Sequence, residues 1–241
     1  MMEDEDVLFS PEKVVVEETN CEEQKKLSLL RAILEKKDPS CKDLEDPILR
    51  RFLGICDLDV EKACLKVTKY LGWRRKLVPK GFISESEVAN QIAQNKAFMQ
   101  GRDKQGRPIA VLLFSRHFPS KGGLDELNRS IPDGQDTFTI IGDFQGYGYS
   151  NKDFRGSLAT INILQDYYPE RLGKVYNIHV PYIYMTFWKT ISPFIKKNAR
   201  KKIVFVDNKK LHETLLEDID ESQLPEIYGG KLPLVPIHMA P

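Results

Sequence analysis

The stretch Gly142-Asp143-Phe144-Gln145-Gly146-Tyr147-Gly148-Tyr149-Ser150-Asn151 comes nearest, by residue type and spacing, to doing chemistry. Gly146-x-Gly148 opens a dinucleotide fingerprint, in which a glycine turn lets a helix start cradle a pyrophosphate, but the third glycine position holds Asn151. Gly148-Tyr149-Ser150-Asn151-Lys152 has the outline of a nucleophile elbow around Ser150, yet its fifth residue is lysine where the tight turn calls for a small one. A plain strand-to-helix turn accounts for the stretch more simply. His117, His179, His212 and His238 are dispersed, with no i, i+4 pair and no neighbouring cysteine pair, so the spacing supports no metal site. His212 or His238 could complete a triad with Ser150 and Asp207 by chain order alone, which is a cheap match. No catalytic residue, cofactor or metal ligand is assigned, and the sequence reads as non-enzymatic.

The second informative stretch runs from Pro181 to Lys202. Tyr182, Ile183, Tyr184, Met185, Phe187, Trp188, Ile191, Phe194 and Ile195 make a helix that is apolar over much of its circumference, which calls for burial or for contact with something greasy. Lys189, Lys196, Lys197, Arg200, Lys201 and Lys202 crowd the same region. Rings beside a lysine cluster suit an interfacial helix, because rings insert at headgroup level and each cation near an anionic surface contributes on the order of 1 kcal/mol. A core helix with a solvated basic end fits the pattern too. Nucleic acid fits it less well, since no zinc-finger spacing or RNP-type strand accompanies the patch.

These stretches need a scaffold to hold them. The chain has 241 residues, 41% hydrophobic and 29% charged, the balance of a soluble globular protein large enough to enclose a cavity. No run approaches the roughly 20 apolar residues of a spanning helix. The first 23 residues hold nine acids and one lysine, a net of −8, so the remainder carries +9 toward the overall +1. A basic body with an acidic tail over residues 1–20, read as disordered, suits an anionic partner such as a membrane surface. The acidic start has neither the basic nor the apolar region of a secretory signal. The expected location is therefore the cytoplasm, with Cys21, Cys41, Cys56 and Cys64 reduced.

The first half reads as helices. Leu27, Leu30 and Leu34 recur at helical spacing within 21–37, and Asp38-Pro39 ends the run. Ile48, Leu49, Phe52 and Leu53 follow an Asp46-Pro47 start, and Val60, Ala63, Val67, Tyr70 and Leu71 follow Asp59. From about residue 97 the period changes. Ile109 to Phe114, Thr137 to Ile141, Val175 to Val180 and Ile203 to Val206 are short β-prone runs separated by helical patterns, which predicts an α/β layered domain with a largely parallel sheet. Asn151 is placed to cap the helix that follows the second of them, with Asp153 in the first turn.

Taken in order, the motifs resemble the CRAL-TRIO family of lipid-binding and lipid-transfer proteins, from about Asp46 to Ile237. Leu49-Arg50-Arg51-Phe52-Leu53, Asp59-Val60-Glu61-Lys62-Ala63 and Trp73-Arg74 resemble the family's N-terminal helical module. Asp103-Lys104-Gln105-Gly106-Arg107-Pro108 resembles its strand start, and Asp143-Phe144-Gln145-Gly146 its Asp-x-x-Gly turn. Tyr167-Tyr168-Pro169-Glu170-Arg171-Leu172-Gly173-Lys174 is the strongest match, continuing through Val180-Pro181 and closing at Leu224-Pro225-x-x-Tyr228-Gly229-Gly230. The resemblance implies an N-terminal helical module over 21–96 and, over 97–237, an α/β lobe whose mostly parallel sheet floors an apolar lipid cavity. It implies a gate over Pro181 to about Lys197, with Tyr182, Tyr184, Met185, Phe187, Trp188, Ile191, Phe194 and Ile195 meeting lipid or membrane. Such a device has a physical purpose. Two acyl chains hold roughly 30 methylenes at about 0.8 kcal/mol each, so on the order of 20 kcal/mol opposes carrying a diacyl lipid through water unprotected.

Within the family, the sequence is most similar to the plant and fungal phosphatidylinositol transfer branch, in which a glutamate after Tyr-Pro and a lysine before the next strand bind the inositol phosphate headgroup. Glu170 and Lys202 occupy those positions. Three departures stand out: Gly54-Ile55-Cys56-Asp57-Leu58-Asp59 where many members carry arginines, Ala199 where they carry threonine, and Phe138 and Ile140 where phosphatidylcholine binders place Ser-x-Thr. Losing two hydroxyl donors and gaining apolar volume disfavours the choline lipid, so Phe138 and Ile140 are expected to line the lipid cavity. The resemblance thus implies a cytosolic, monomeric protein that holds a phosphatidylinositol-class phospholipid and exchanges it at anionic membranes. A lipid-regulated adaptor without bulk transfer is the alternative, and an α/β hydrolase a more distant one.

Overall fold

The computed structural model describes residues 11–119 and 137–239. The chain divides into two compact units, the first ending at Gly72 and the second beginning at Trp73.

The first unit carries the helical readings. Helix α1 spans Pro11–Lys37, α2 Asp46–Gly54, and α3 starts at Val60 and continues to Leu77. Helix α1 begins ten residues earlier than the reading of 1–20 as a disordered tail allows, which corrects that reading for 11–20; the remainder of that tail, 1–10, lies outside the described residues. A proline costs nothing in a first turn, where the amide has no partner to lose, and acids are favoured there by the helix dipole. Leu27, Leu30, Leu34, Leu49, Phe52, Leu53, Ala63 and Val67 are buried, as their spacing predicts. Arg31 ties α1 to the start of α2, donating to the Leu44 carbonyl at 2.7 Å and to Asp46 Oδ1 at 2.6 Å.

The second unit is a five-stranded sheet in sequential order. Its strands are β1 Ala97–Arg102, β2 Pro108–Leu113, β3 Phe138–Asp143, β4 Leu172–Ile178 and β5 Ile203–Phe205. Strand β1 is antiparallel to β2, and β2 through β5 run parallel. The sheet is therefore mostly parallel, as the alternation of strand and helix patterns predicts. The short helix α4 Ala89–Ala93 precedes it, α5 Phe154–Asp166 joins β3 to β4, α6 Tyr182–Ile191 and α7 Lys197–Arg200 join β4 to β5, and α8 Leu211–Asp218 follows β5.

One face of this sheet is sealed. Ile109, Val111, Ile141, Tyr176 and Ile178 are buried against Leu215, Ile219, Leu224 and Tyr228 from α8 and the segment after it. The family's strand-start motif is a clip on this side. Asp103 Oδ1 accepts from the Gln105 and Arg107 amides, while Oδ2 accepts from Arg107 Nε at 2.6 Å and from Thr139 Oγ1 at 2.7 Å. Burial opposes ionisation of Asp103, but the bonds from Thr139 and Arg107 outweigh it and hold the carboxyl below its usual range. The closing motif has an equally local cause: a Cβ on Gly230 would lie 2.0 Å from the Leu224 carbonyl oxygen, so only glycine lets the chain fold back there.

Candidate lipid site

The other face of the sheet is apolar and is not sealed. Register places Ala110, Ile140, Val175 and Ile203 in one row across β2 to β5, and Leu112, Gly142, Asn177 and Phe205 in the next. Strand alternation turns these away from the sealed layer. Parallel strands are ordinarily buried on both faces. Here Ile109, Val111, Ile141, Tyr176 and Ile178 on the sealed face are at 0% exposure, while Leu112, Ile140, Val175 and Ile203 are only half-buried and Phe205 keeps 37%. Phe138 alternates with the buried Thr139 and is half-buried as well, so Phe138 and Ile140 both lie on this open apolar face.

Helix α6 stands over the C-terminal ends of the strands. Tyr184 packs on Phe144 at 3.9 Å between ring centroids and on Tyr147 at 5.6 Å, and Phe144 stacks on Phe114 at 4.4 Å. Trp188 meets Phe205 edge-on at 5.3 Å. Burial raises the phenol of Tyr184, with Tyr147 adding to the rise, so the ring sits in this cluster as a neutral group. Tyr184, Ile191 and Ile195 turn inward and are buried, Met185, Phe187 and Trp188 are half-buried, and Tyr182 and Phe194 are exposed, at 87% and 53%. The eight residues assigned to the gate thus divide into an inner set that seals and an outer pair that faces water. Lys189, Lys196, Lys197, Arg200 and Lys201 are exposed beside that pair in sequence.

Both ends of α6 are fastened by polar contacts that sequence patterns do not show. At its start, His179 holds a left-handed φ of 51°, donates its backbone amide to Asn208 Oδ1 at 3.2 Å, and places Nδ1 2.9 Å from Asp143 Oδ1. At its end, the Gln165 amide of α5 donates to the Phe194 carbonyl at 3.0 Å and accepts from the Lys196 amide at 2.6 Å. The start of α5 also differs from its sequence reading. Asp153, not Asn151, is the N-cap, accepting from Gly156 N at 2.7 Å, and Asn151 instead braces the preceding turn by donating to the Ser115 and His117 carbonyls. Ser150 is exposed, with no histidine bonded to it among the described residues.

The two headgroup candidates lie on adjoining strand starts. Glu170 is exposed in a left-handed turn, φ 56°, just ahead of β4. Lys202, ahead of β5, is half-buried, and its ammonium donates to the Leu172 carbonyl at 2.6 Å. The two form no ion pair with one another among the described residues. Nearby, Trp73 stacks on Tyr167 at 4.3 Å and meets Tyr168 edge-on at 5.8 Å, fixing the Tyr-Tyr-Pro-Glu turn from behind.

The CRAL/TRIO domain family model matches residues 92–230, more than half the chain and nearly the whole of this sheet and its helices. The chain belongs to the CRAL/TRIO family. Among curated CRAL/TRIO relatives, Patellin-5 of Arabidopsis thaliana is 27% identical over 215 residues, covering 78% of this chain and 32% of its own length. The phosphatidylinositol transfer protein CSR1 of Eremothecium gossypii is 26% identical over 211 residues, covering 78% of this chain and 48% of its own. The chain thus spans a third to a half of the length of these relatives. The solved structure of Sfh5 superposes with a TM-score of 0.59 at 19% identity, covering 80% of this chain and 83% of that one, which shows the shared fold.

Proposed function

We propose that this chain binds a phosphatidylinositol-class phospholipid, with its acyl chains on the open sheet face and its headgroup at the Glu170 and Lys202 end, and that it exchanges this lipid at anionic membranes. The observation that carries the reading is the asymmetry of the sheet. Central parallel strands with one face at 0% exposure and an opposite face on which Leu112, Ile140, Val175, Ile203 and Phe205 stay partly exposed present a surface that gains free energy from an apolar ligand, at about 25 cal/mol per Å² covered. Names of relatives such as CSR1, a phosphatidylinositol transfer protein, point to the same ligand class. A half-buried ammonium supplies the point charge a phosphodiester needs, and an exposed carboxylate two residues before Leu172 can accept from inositol hydroxyls. The exposed rings and lysines beside α6 supply the membrane-facing part. The reading needs no bond-making step.

Transfer of labelled phosphatidylinositol between vesicles tests it. The chain is expected to accelerate that transfer, and Glu170→Ala with Lys202→Ala to slow it while leaving folding intact. Full transfer by the folded double variant would remove the headgroup assignment, and no transfer by the unaltered chain would remove the exchange reading.

A further inference from the structure

Asn177 lies on this same open face near the C-terminal end of β4, between Gly142 and Phe205 in its row. It is 4% exposed, and its carboxamide makes no hydrogen bond among the described residues. Its polar atoms nonetheless keep a trace of solvent exposure. The fold makes room for it. A Cβ on Gly142 would sit 2.9 Å from Asn177 Oδ1 and 2.9 Å from Phe114 Cε2, so the missing side chain at Gly142 is what lets the amide lie against the sheet. A nearly buried amide with no protein partner is costly unless something else satisfies it. Alternation along Val175-Tyr176-Asn177-Ile178 puts it on the ligand face and not in the packed layer, where Tyr176 and Ile178 lie.

We infer that Asn177 selects a ligand carrying a hydroxyl group deep in its apolar part, with the carboxamide donating and accepting at that one group. The inference rests on the open face being a lipid site. Position argues against the ester groups of an ordinary diacyl lipid. Lys202 marks the headgroup end at Leu172, and Asn177 is five residues further along β4, about 16 Å at about 3.3 Å per residue. Ester carbonyls lie only a few bonds from the phosphate, so a lipid whose headgroup sits there brings plain methylenes to Asn177. The shared chemistry is a lone polar group far from any charged head, and it has two sources: the hydroxyl of a sterol-like or prenol-like alcohol, or a hydroxylated acyl chain of a phospholipid.

The test uses the full chain and the apolar fluorophore diphenylhexatriene, displaced in one arm by cholesterol or its deoxy analogue cholestene, and in the other by ricinoleoyl or oleoyl phosphatidylinositol. The hydroxylated member of one pair is expected to displace about tenfold more tightly than its partner, the worth of one neutral hydrogen bond. Asn177→Leu is expected to abolish that preference. Asn177→Ala, which adds no bulk beside Gly142, carries the same expectation if the leucine variant fails to fold. Preference in the cholesterol arm assigns a free alcohol, and preference in the ricinoleoyl arm a hydroxylated chain. No preference in either arm, or a preference that both variants keep, overturns the inference alone. Failure of the fluorophore to bind the unaltered chain overturns the lipid-face reading and this inference with it.

Discussion

The Tyr228 hydroxyl donates to Asp143 Oδ2 at 2.9 Å, so the last family motif in the chain is fastened directly to the C-terminal end of β3. The other oxygen of the same carboxylate accepts from the Gln145 amide at 2.8 Å and meets His179 Nδ1 at 2.9 Å. One buried carboxylate thereby joins the Asp-x-x-Gly turn, the start of α6 and the Leu-Pro-x-x-Tyr-Gly-Gly segment. Burial first, and then the adjacent Asp143 charge, pushes the Tyr228 phenol far up, so it stays a donor at any ordinary pH.

Tyr228→Phe is therefore expected to destabilise the fold by about 2 kcal/mol, since it leaves one lone pair of a buried carboxylate without its donor. For a chain of this size that corresponds to a Tm lower by roughly 6 °C. Tyr182→Phe, at a ring 87% exposed, is the matched control and should leave Tm unchanged. Equal melting of Tyr228→Phe and the parent chain would show that the bond contributes nothing net.

Much of this architecture is legible in the sequence, and the reasons differ by element. Leu27, Leu30 and Leu34 announce α1 because a helix repeats its buried face every three or four residues, but nothing in that rule marks where the helix starts, and it begins at Pro11. The runs Thr137 to Ile141 and Val175 to Val180 announce buried strands. Strand β1, Ala97–Arg102, escapes because Gln100, Gly101 and Arg102 interrupt its apolar pattern, and it lies at the sheet edge. Helix α6 is visible as a mass of rings, whereas its inner and outer faces are not, because seven of its ten residues are apolar or aromatic enough to face either way. Gln165 and the Asp143, His179 and Tyr228 cluster escape sequence reading because each acts through a partner distant in the chain. For Asn177 the sequence carries one signal, an amide between Tyr176 and Ile178 in a β-prone run.

The outer surface of α6 and the segment after it carries the next expectation. Lys197, Arg200 and Lys201 are exposed, close in sequence to the half-exposed ring of Phe194. With each cation contributing on the order of 1 kcal/mol at an anionic surface, neutralising all three to glutamine is expected to weaken binding to phosphatidylserine-rich vesicles about a hundredfold at low salt. The difference should shrink near physiological ionic strength, where the screening length is about 8 Å. Binding to neutral vesicles should be unaffected. Cosedimentation measures both, and an equal loss on the two vesicle types would point to damaged folding instead of a lost electrostatic contact.

His117 gives the chain a defined acid response. Its Nδ1 accepts from the Lys96 ammonium at 2.9 Å, its Nε2 faces Asp153 Oδ2 at 3.3 Å, and Asp153 in turn caps α5 through Gly156 N. Burial depresses the imidazole's pKa, the Lys96 charge lowers it further, and Asp153 opposes both without overcoming them. The folded ring therefore stays neutral, accepting from lysine and donating to aspartate. In the unfolded chain the ring takes a proton near pH 6.5. Below that pH the unfolded state binds more protons than the folded one, so stability is intact above about pH 6.5 and is lost as pH falls through the depressed folded value. The held-down carboxyls of Asp103 and Asp218 act in the same direction but only near and below their unfolded range, at about pH 4, which separates them from His117. The urea midpoint is expected to fall between pH 7.5 and pH 5.5 in the parent chain. In His117→Asn, whose side-chain oxygen can still accept from Lys96 but cannot be protonated, that fall should flatten. An unchanged slope in the variant would assign the acid response to other groups and leave the Lys96, His117 and Asp153 chain as a purely structural brace for α5.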